Sequence, residues 1–354
     1  MHAKDPKQTW EEYRAEELAA IAPLLERLGF TLDERQKHLG GERYLMRAVT
    51  TTSGQKLILT GRRASDGMRV VIKATRDTAG AAELQHERVC RRILQEINFA
   101  YDTFHSPEEI LFTVQDGFTI SVQAFVEQER PFLERPLKEQ FAFALRAFKA
   151  QESAHASTYN HLRLVQKTFD TKDAAGYLRM FTSFGASAEA GQFLETHKET
   201  IEQYCGFLTH TDFVPHNFRI AGDTMYLLDH SSLRFGNKYE GWARFLNFMA
   251  LYNPALEAAL VQYVADNRTP EESLSLRLMR VYRLGEIIWY YKNTLLKSSG
   301  NLLQLNQARV DFWSQVLDSQ LSARLLADEV RASYIKTRDA LRSDDEKERQ
   351  VDLH

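Results

Sequence analysis

The spacing of apolar positions changes period several times along this chain, and each change marks an element. In residues 10–29, Leu18, Ile21, Leu25 and Leu28 recur at helical spacing and Gly29 is a natural stop, so an amphipathic helix is expected. Short runs rich in β-formers follow at 44–49, 56–60 and 68–73. Thr-Thr-Ser-Gly and Ala-Ser-Asp-Gly turns separate them, which predicts a β-meander. Helical spacing returns over 79–95 with Leu84, Val89, Ile93 and Leu94 on one face. Residues 109–114 and 118–126 read as two strands joined through Gln-Asp-Gly, a tight hairpin turn. Beyond Pro131 the pattern is mainly helical: 137–156 with Phe141, Leu145 and Phe148, then 187–207, a helix starting near Tyr239, 273–297 and 302–340. Residues 169–184 are less regular, and Tyr177, Leu178, Met180 and Phe181 suit a lid or an acceptor site. No internal repeat occurs.

Composition narrows the class. At 354 residues the chain is long enough for two domains or one large two-lobed one. Hydrophobic residues at 44% and charged residues at 26% are ordinary for a globular protein. A net charge of -3 gives no reason to expect a nucleic-acid partner. Two cysteines, Cys90 and Cys205, make no disulfide framework and fit a reducing compartment. The first residues, Met-His-Ala-Lys-Asp-Pro-Lys-Gln, lack an apolar signal core. No run of about 18 apolar residues exists to span a membrane. The expected setting is the cytoplasm.

One stretch carries chemistry. It runs Leu208-Thr-His210-Thr-Asp212-Phe-Val-Pro-His-Asn217, and the apolar run after it ends in Leu227-Leu228-Asp229. Asp212, Asn217 and Asp229 are the polar set a phosphoryl-transfer site needs. One carboxylate orients and deprotonates an attacking hydroxyl, while an amide and a second carboxylate hold Mg²⁺ against nucleotide phosphates. Asp and Asn are also common in plain surface turns, so the stretch alone does not decide. The Asp-to-Asn spacing matches a kinase catalytic loop, and the stretch resembles that of the aminoglycoside phosphotransferase family, small-molecule kinases that share the protein-kinase fold.

The resemblance extends over roughly residues 40–250 and implies roles elsewhere. Val70-Val-Ile-Lys73 looks like the kinase Val-Ala-Ile-Lys strand, whose lysine reaches the α- and β-phosphates. Glu87 in the 79–95 helix stands where kinases place the lysine's partner, with Glu83 one turn earlier as the runner-up. The phosphate-covering loop falls at Thr51, Ser53 and Gly54; Gly40-Gly41 is a second candidate. At three positions where kinases have glycine this chain has Thr51, Ser53 and Lys56, so hydroxyls or Lys56 would substitute for bare N–H groups. The hinge that pairs with adenine falls near 123–127, including Gln123 and Phe125. His210 supports the catalytic loop, and His155 reads as a packed core histidine. Trp289-Tyr-Tyr291 reads as core.

Departures are equally specific. Asp229-His-Ser keeps the metal aspartate but not the following glycine. No aspartate stands where the family usually shows Asp-Leu-Ala. Thr211 replaces the arginine that couples protein kinases to phosphorylation, and no Ala-Pro-Glu follows. Residues 229–300 hold seven Asp/Glu against nine Lys/Arg, a balance that does not suit a polycationic acceptor.

The expectation is therefore an α+β, two-lobed protein-kinase-like fold. It has a helical extension over 1–30, an N-lobe with a small antiparallel sheet and one key helix over 31–127, a mainly helical C-lobe over 128–340, and a charged tail over 341–354 that reads as disordered. The expected activity is transfer of the γ-phosphate to a hydroxyl of a sugar, amino alcohol or aminoglycoside-like molecule. Asp212 is the base with His210 beside it, Lys73, Glu87, Thr51, Ser53, Gly54, Gln123 and Phe125 bind nucleotide, and Asn217 and Asp229 hold Mg²⁺. The nucleotide is ATP, with GTP remaining open. The partners are a small hydroxylated substrate and nucleotide, with neither nucleic acid nor membrane, and the oligomeric state is open. The alternatives are a pseudokinase or scaffold with this fold, or an unrelated α/β binding protein.

Overall fold

The computed structural model describes residues 10–36, 56–97, 105–158, 168–324 and 326–342. The expected strand at 44–49, the loop with Thr51, Ser53 and Gly54, the Gly40-Gly41 pair, the His155 side chain and the tail from 343 onward lie outside these residues. Two compact units emerge: 1–88 with 106–127, and 89–105 with 128–354. Among the described residues no helix is long and apolar enough to cross a membrane.

The first unit opens with helix α1 (Trp10–Arg27) and strand β1 (Phe30–Leu32). Gly29 makes the turn between them at φ 82, a conformation that glycine adopts without Cβ strain. β2 (Leu57–Arg63), β3 (Arg69–Thr75), β4 (Glu109–Gln115) and β5 (Phe118–Ala124) complete an antiparallel sheet in the order β1-β2-β3-β5-β4. Helix α2 (Thr78–Ile97) leaves β3 and passes from the first unit into the second. The β4–β5 hairpin turns on Asp116 (φ 53) and Gly117 (φ 79), the positive pair that an Asp-Gly turn supplies. Alternation on β2 and β3 buries Leu57, Leu59, Val70 and Ile72 on one face. Ile120 and Val122 of β5 extend that face, and Ile21, Leu24 and Leu25 of α1 join the same core. Each such side chain contributes about 1.5–3 kcal/mol by leaving water, so α1 is part of this core.

The second unit is mainly helical. α3 (Leu137–Thr158), α4 (Ala174–Phe184), α5 (Ala188–Thr196) and α6 (Lys198–Gln203) precede two small hairpin-like pairs. β6 (Phe207–His210) pairs with β9 (Leu233–Gly236), and β7 (Phe218–Ala221) pairs with β8 (Thr224–Leu227). α7 (Glu240–Tyr252), α8 (Pro254–Asn267), α9 (Pro270–Leu295), α10 (Gly300–Leu321) and α11 (Asp328–Leu341) follow.

Several boundaries differ from the sequence expectation. The helix expected over 187–207 is two short helices that break at His197, and its end is strand β6. The helix expected over 302–340 stops at Leu321, because Ala323 turns the chain at φ 50. The apolar run after Asn217 is a hairpin folded at Gly222, not one strand. The less regular stretch 169–184 contains α4, whose N-cap Asp173 accepts a hydrogen bond from Gly176 N. Tyr177, Phe181 and Phe184 of α4 are core, whereas Met180 is 44% exposed.

Candidate active site

Aromatic packing fixes the loop that carries Asp212. Phe148 of α3 stacks on Trp242 of α7 at 3.9 Å between ring centres, and both lie in the core. Phe213, next to Asp212, packs among Phe148, Phe218 and Phe245 with centroid distances of 5.9, 5.1 and 5.6 Å. The residue after Asp212 is thus an anchor, and the carboxylate beside it cannot drift far.

Asn217 ends a short 3-10 turn, Pro215–Asn217, and its amide folds back on the loop. Asn217 Nδ2 donates to the Asp212 carbonyl and to Asp212 Oδ2, both at 2.8 Å. Both amide hydrogens are then used, and Asn217 Oδ1 is left as an oxygen donor. His210, fully buried at the end of β6, approaches the Asp229 carbonyl at 2.6 Å through Nε2. A carbonyl can only accept, so Nε2 donates here, while Nδ1 finds no partner among the described residues. His210 therefore ties the 211–217 loop to the backbone of Asp229. The Asp229 carboxylate accepts from Ser231 N (2.9 Å) and Ser231 Oγ (2.6 Å) on Oδ1 and from Ser232 Oγ (3.0 Å) on Oδ2. The Asp-His-Ser-Ser turn replaces a glycine with two hydroxyls that orient the carboxylate.

Charge around Asp212 is set by residues the motif does not contain. Arg244 of α7 donates from Nε to Asp212 Oδ1 at 2.9 Å. Burial pushes the Asp212 carboxyl up and Asp229 adds to this. The Arg244 and Arg283 guanidiniums and His210 outweigh them and hold it at about 2. Arg283 is itself tied to Glu286 at 2.6 Å and to the fully buried Glu240 at 3.5 Å. Burial raises the Glu240 carboxyl, but Lys172, Arg234, Arg283 and a 2.6 Å hydrogen bond from Tyr177 Oη bring it below its ordinary value.

In the first unit, Lys73 on β3 lies opposite Ile58 and Ser121 and reaches Glu87 Oε1 of α2 at 2.6 Å. Their side chains are only 12% and 4% exposed. Glu83 pairs instead with Lys56 at 3.2 Å, which assigns the two glutamates to two lysines. Gln123 lies within the sheet, paired with Val71 and Glu109. Phe125 N donates to Arg69 O at 2.9 Å, and the Arg69 guanidinium sits 4.0 Å above the Phe125 ring. That amide is already committed to the β3 backbone.

No family profile matches the chain, and no curated protein sequence does. Solved structures do. The GDP complex of an aminoglycoside 2'-phosphotransferase mutant superposes with a TM-score of 0.57 at 11% identity, over 87% of this chain and 97% of that one. A thermostable mutant of another aminoglycoside phosphotransferase, in its apo form, gives 0.55 at 13% identity over 85% and 97%. A choline/ethanolamine kinase family protein from Mesorhizobium loti gives 0.55 at 12% over 92% and 99%. This chain has the kinase-like phosphotransferase fold. A further solved relative with this fold is a ternary complex with ADP and hygromycin B, at TM-score 0.53 and 14% identity over 84% and 96%.

On this fold the sequence reading missed the arginines. Arg244 lies in α7, the region where it registered only a missing aspartate, and Arg283 lies in α9, read as plain core helix. An Arg at helical spacing on an otherwise apolar face is the signal that was available: Arg280 and Arg283 are both buried within α9. The stretch 169–184, expected to suit a lid or an acceptor site, supplies Met180 to a cavity of about 400 Å³, but the charged residues that line it, Asp170, Lys172, Arg179 and Arg234, were not named.

Proposed function

We propose that this chain is a Mg²⁺- and nucleotide-dependent phosphotransferase that moves a γ-phosphoryl group to a hydroxyl of a small molecule. The observation that carries the reading is the clasp of Asn217 on Asp212. It orients one carboxylate for a hydroxyl and leaves an amide oxygen, Asn217 Oδ1, for a cation. Asn217 Oδ1 and the Asp229 carboxylate are hard oxygen donors of the kind Mg²⁺ takes. Among the described residues no cluster of three or more His, Cys, Asp or Glu could form a metal cage. That suits a cation completed by phosphate oxygens and water. When bound, Mg²⁺ would neutralise charge on the transferring group.

The protein's own residues do the rest by position. Lys73, fixed by Glu87, is the group for the α- and β-phosphate oxygens. The acceptor hydroxyl forms a bond to the γ-phosphorus while the bond to the β–γ bridging oxygen breaks, and its proton passes to Asp212. An aspartate held at about 2 is a weak ground-state base. It accepts the proton only as the hydroxyl acidifies on bonding to phosphorus, so its main work is to aim that hydroxyl. The neighbours whose complexes hold GDP, or ADP with hygromycin B, support nucleotide and small-molecule binding here as well. ATP is the proposed donor. Gln123, Phe125 and the loop of Thr51, Ser53 and Gly54 are proposed to contact it, within lobes of 31–127 and 128–340. A cytosolic setting fits the reduced thiols of Cys90 and Cys205.

One observation favours a second reading, a nucleotide-binding scaffold without transfer. Both oxygens of Asp212 are engaged, Oδ1 by Arg244 and Oδ2 by Asn217. One experiment separates the two. The parent and Asp212→Asn are assayed with Mg²⁺-ATP against a panel of hydroxylated metabolites, and nucleotide affinity is measured alongside. The phosphotransferase reading expects turnover in the parent, a fall of about 10²- to 10⁴-fold in the variant, and Mg²⁺-ATP affinity nearly intact. Equal rates in the two proteins would sink it, and no turnover with any acceptor would favour the scaffold.

A further inference from the structure

The cavity beside the catalytic loop has an unusual charge. Lys172, Arg179 and Arg234 line it, and Asp170 is the acidic residue among its walls. Its volume, about 400 Å³, lies within the range of small-molecule sites. Among the described residues, no carboxylate is in ion-pair contact with any of the three cations. Lys172 Nζ donates to Tyr282 Oη at 2.9 Å and lies 5.0 Å from the Tyr177 and Tyr282 ring centres. Arg234 Nη2 donates to Thr211 Oγ1 at 3.2 Å. Arg179 is exposed. The buried Glu240 acts on Lys172 and Arg234 only at longer range, because its own contacts are to Tyr177 and Arg283.

The backbone connects the walls of this cavity to the strand that precedes Asp212. Phe235 of β9 exchanges hydrogen bonds with the 170–172 segment, from Phe235 N to Asp170 O and from Lys172 N to Phe235 O, both 2.8 Å. β9 in turn pairs with β6, Arg234 opposite Thr209 and Leu233 opposite His210, and β6 runs directly into Thr211 and Asp212. A group bound by Lys172 and Arg234 is therefore indexed to Asp212 through two strands and no flexible linker. Arg234 touches the residue immediately before the base.

We infer that this cavity binds the phosphate acceptor and selects an anionic one: a small hydroxylated carboxylate or phosphate monoester, not a polycation or an amino alcohol. The inference rests on the phosphotransferase reading and specifies its acceptor. Arginine meets carboxylate and phosphate oxygens with paired N–H donors, and the cavity presents two arginines beside a lysine. An ammonium-rich acceptor would meet like charge at these three side chains, against the single carboxylate of Asp170.

The test uses the full chain. Binding of inorganic phosphate, D-glycerate, glycerol 3-phosphate, choline and kanamycin is measured by calorimetry for the parent, Arg179→Gln and Lys172→Gln, and each organic compound is assayed as acceptor. The expected result is that the anions bind the parent and that each variant binds them about ten-fold more weakly, with KM for the anionic acceptor rising more than kcat falls. Preference between glycerate and glycerol 3-phosphate tells carboxylate from phosphate, and either supports the proposal. Arg179→Gln changes an exposed side chain, so its result stands even if Lys172→Gln fails to fold. Tighter binding of choline or kanamycin than of any anion, no binding of any anion, or unchanged anion affinity in Arg179→Gln would overturn it. If anions bind as expected but no compound is phosphorylated, the anion site stands and the phosphotransfer reading fails. If choline is phosphorylated and the anions are ignored, the reverse holds.

Discussion

Arg244 Nε stands 2.9 Å from Asp212 Oδ1, on the side of the carboxylate opposite the Asn217 clasp. The pair fixes the carboxylate plane from both oxygens and depresses its proton affinity. The sign of the consequence is definite. A carboxyl lowered from 3.8 to about 2 contributes stability above its unfolded value, and that contribution disappears as pH falls through about 2. At neutral pH Asp212 is fully ionised. The parent's pH–rate profile should show no acid limb from Asp212 above about pH 4. In Arg244→Ala the carboxyl should rise toward the ordinary range, with turnover down about ten-fold from lost orientation. Carbon-13 NMR titration of the Asp212 carboxyl reads this directly, and an unmoved titration would remove Arg244 from the account.

The proposed metal role of Asn217 and Asp229 is tested by exchanging their oxygen donors. Asp229→Asn keeps the size of the side chain and removes the charged oxygen donor, so Mg²⁺-dependent nucleotide affinity should fall while nucleotide binding without metal changes little. Asn217→Ala should do both kinds of damage, because the same amide clasps Asp212. Calorimetric titration with ATP, with and without Mg²⁺, distinguishes the two. Unchanged Mg²⁺-ATP affinity in Asp229→Asn would count against the metal assignment.

How much of this was legible in the sequence depends on the range of the interaction. The sheet was readable because β2 and β3 alternate, and because Asp116-Gly117 is a turn signal with a known geometry. The contact of Asn217 with Asp212 joins residues only five apart, within reach of a spacing argument. The Lys73–Glu87 pair needed the fold to choose between glutamates one helical turn apart. Arg244, 32 residues from Asp212, and Arg283 beyond it were not readable, since nothing in a helix's periodicity tells which distant carboxylate its arginine meets. The breaks at His197 and Ala323 were missed for a related reason. Neither is glycine or proline, so the local sequence gives no stop.

Lys73 and the two glutamates give a prediction that depends on the turn of the helix. Glu87→Gln removes the carboxylate 2.6 Å from Lys73, whereas Glu83→Gln removes the partner of Lys56. Lys73→Ala and Glu87→Gln should therefore raise KM for ATP, and the double variant should be little worse than Lys73→Ala, because the two act through one pair. Glu83→Gln should have a smaller, independent effect. A double-mutant cycle measures this; additive losses at Lys73 and Glu87 would contradict the geometry.

Gly285 offers a test of the scaffold beneath the site. It lies in α9 where the Phe181 ring of α4 comes against its Cα, and a Cβ would collide with that ring. Alanine normally stabilises a helix interior relative to glycine by about 0.5–1 kcal/mol. Here the collision must displace Phe181, and overpacking of a well-filled core costs about 1–3 kcal/mol. Phe181 is 3% exposed, with Phe184 at a centroid distance of 6.1 Å, so it has no free space to enter. The cost should exceed the helix gain, and Gly285→Ala should unfold at lower urea with an unchanged m-value. The same displacement would press on Tyr177, one turn earlier in α4, whose hydroxyl donates to Glu240. A variant that is destabilised but keeps its KM for the acceptor would mean that the cavity wall tolerates the shift. A variant that is more stable than the parent would mean that Phe181 does not pack on Gly285 as described.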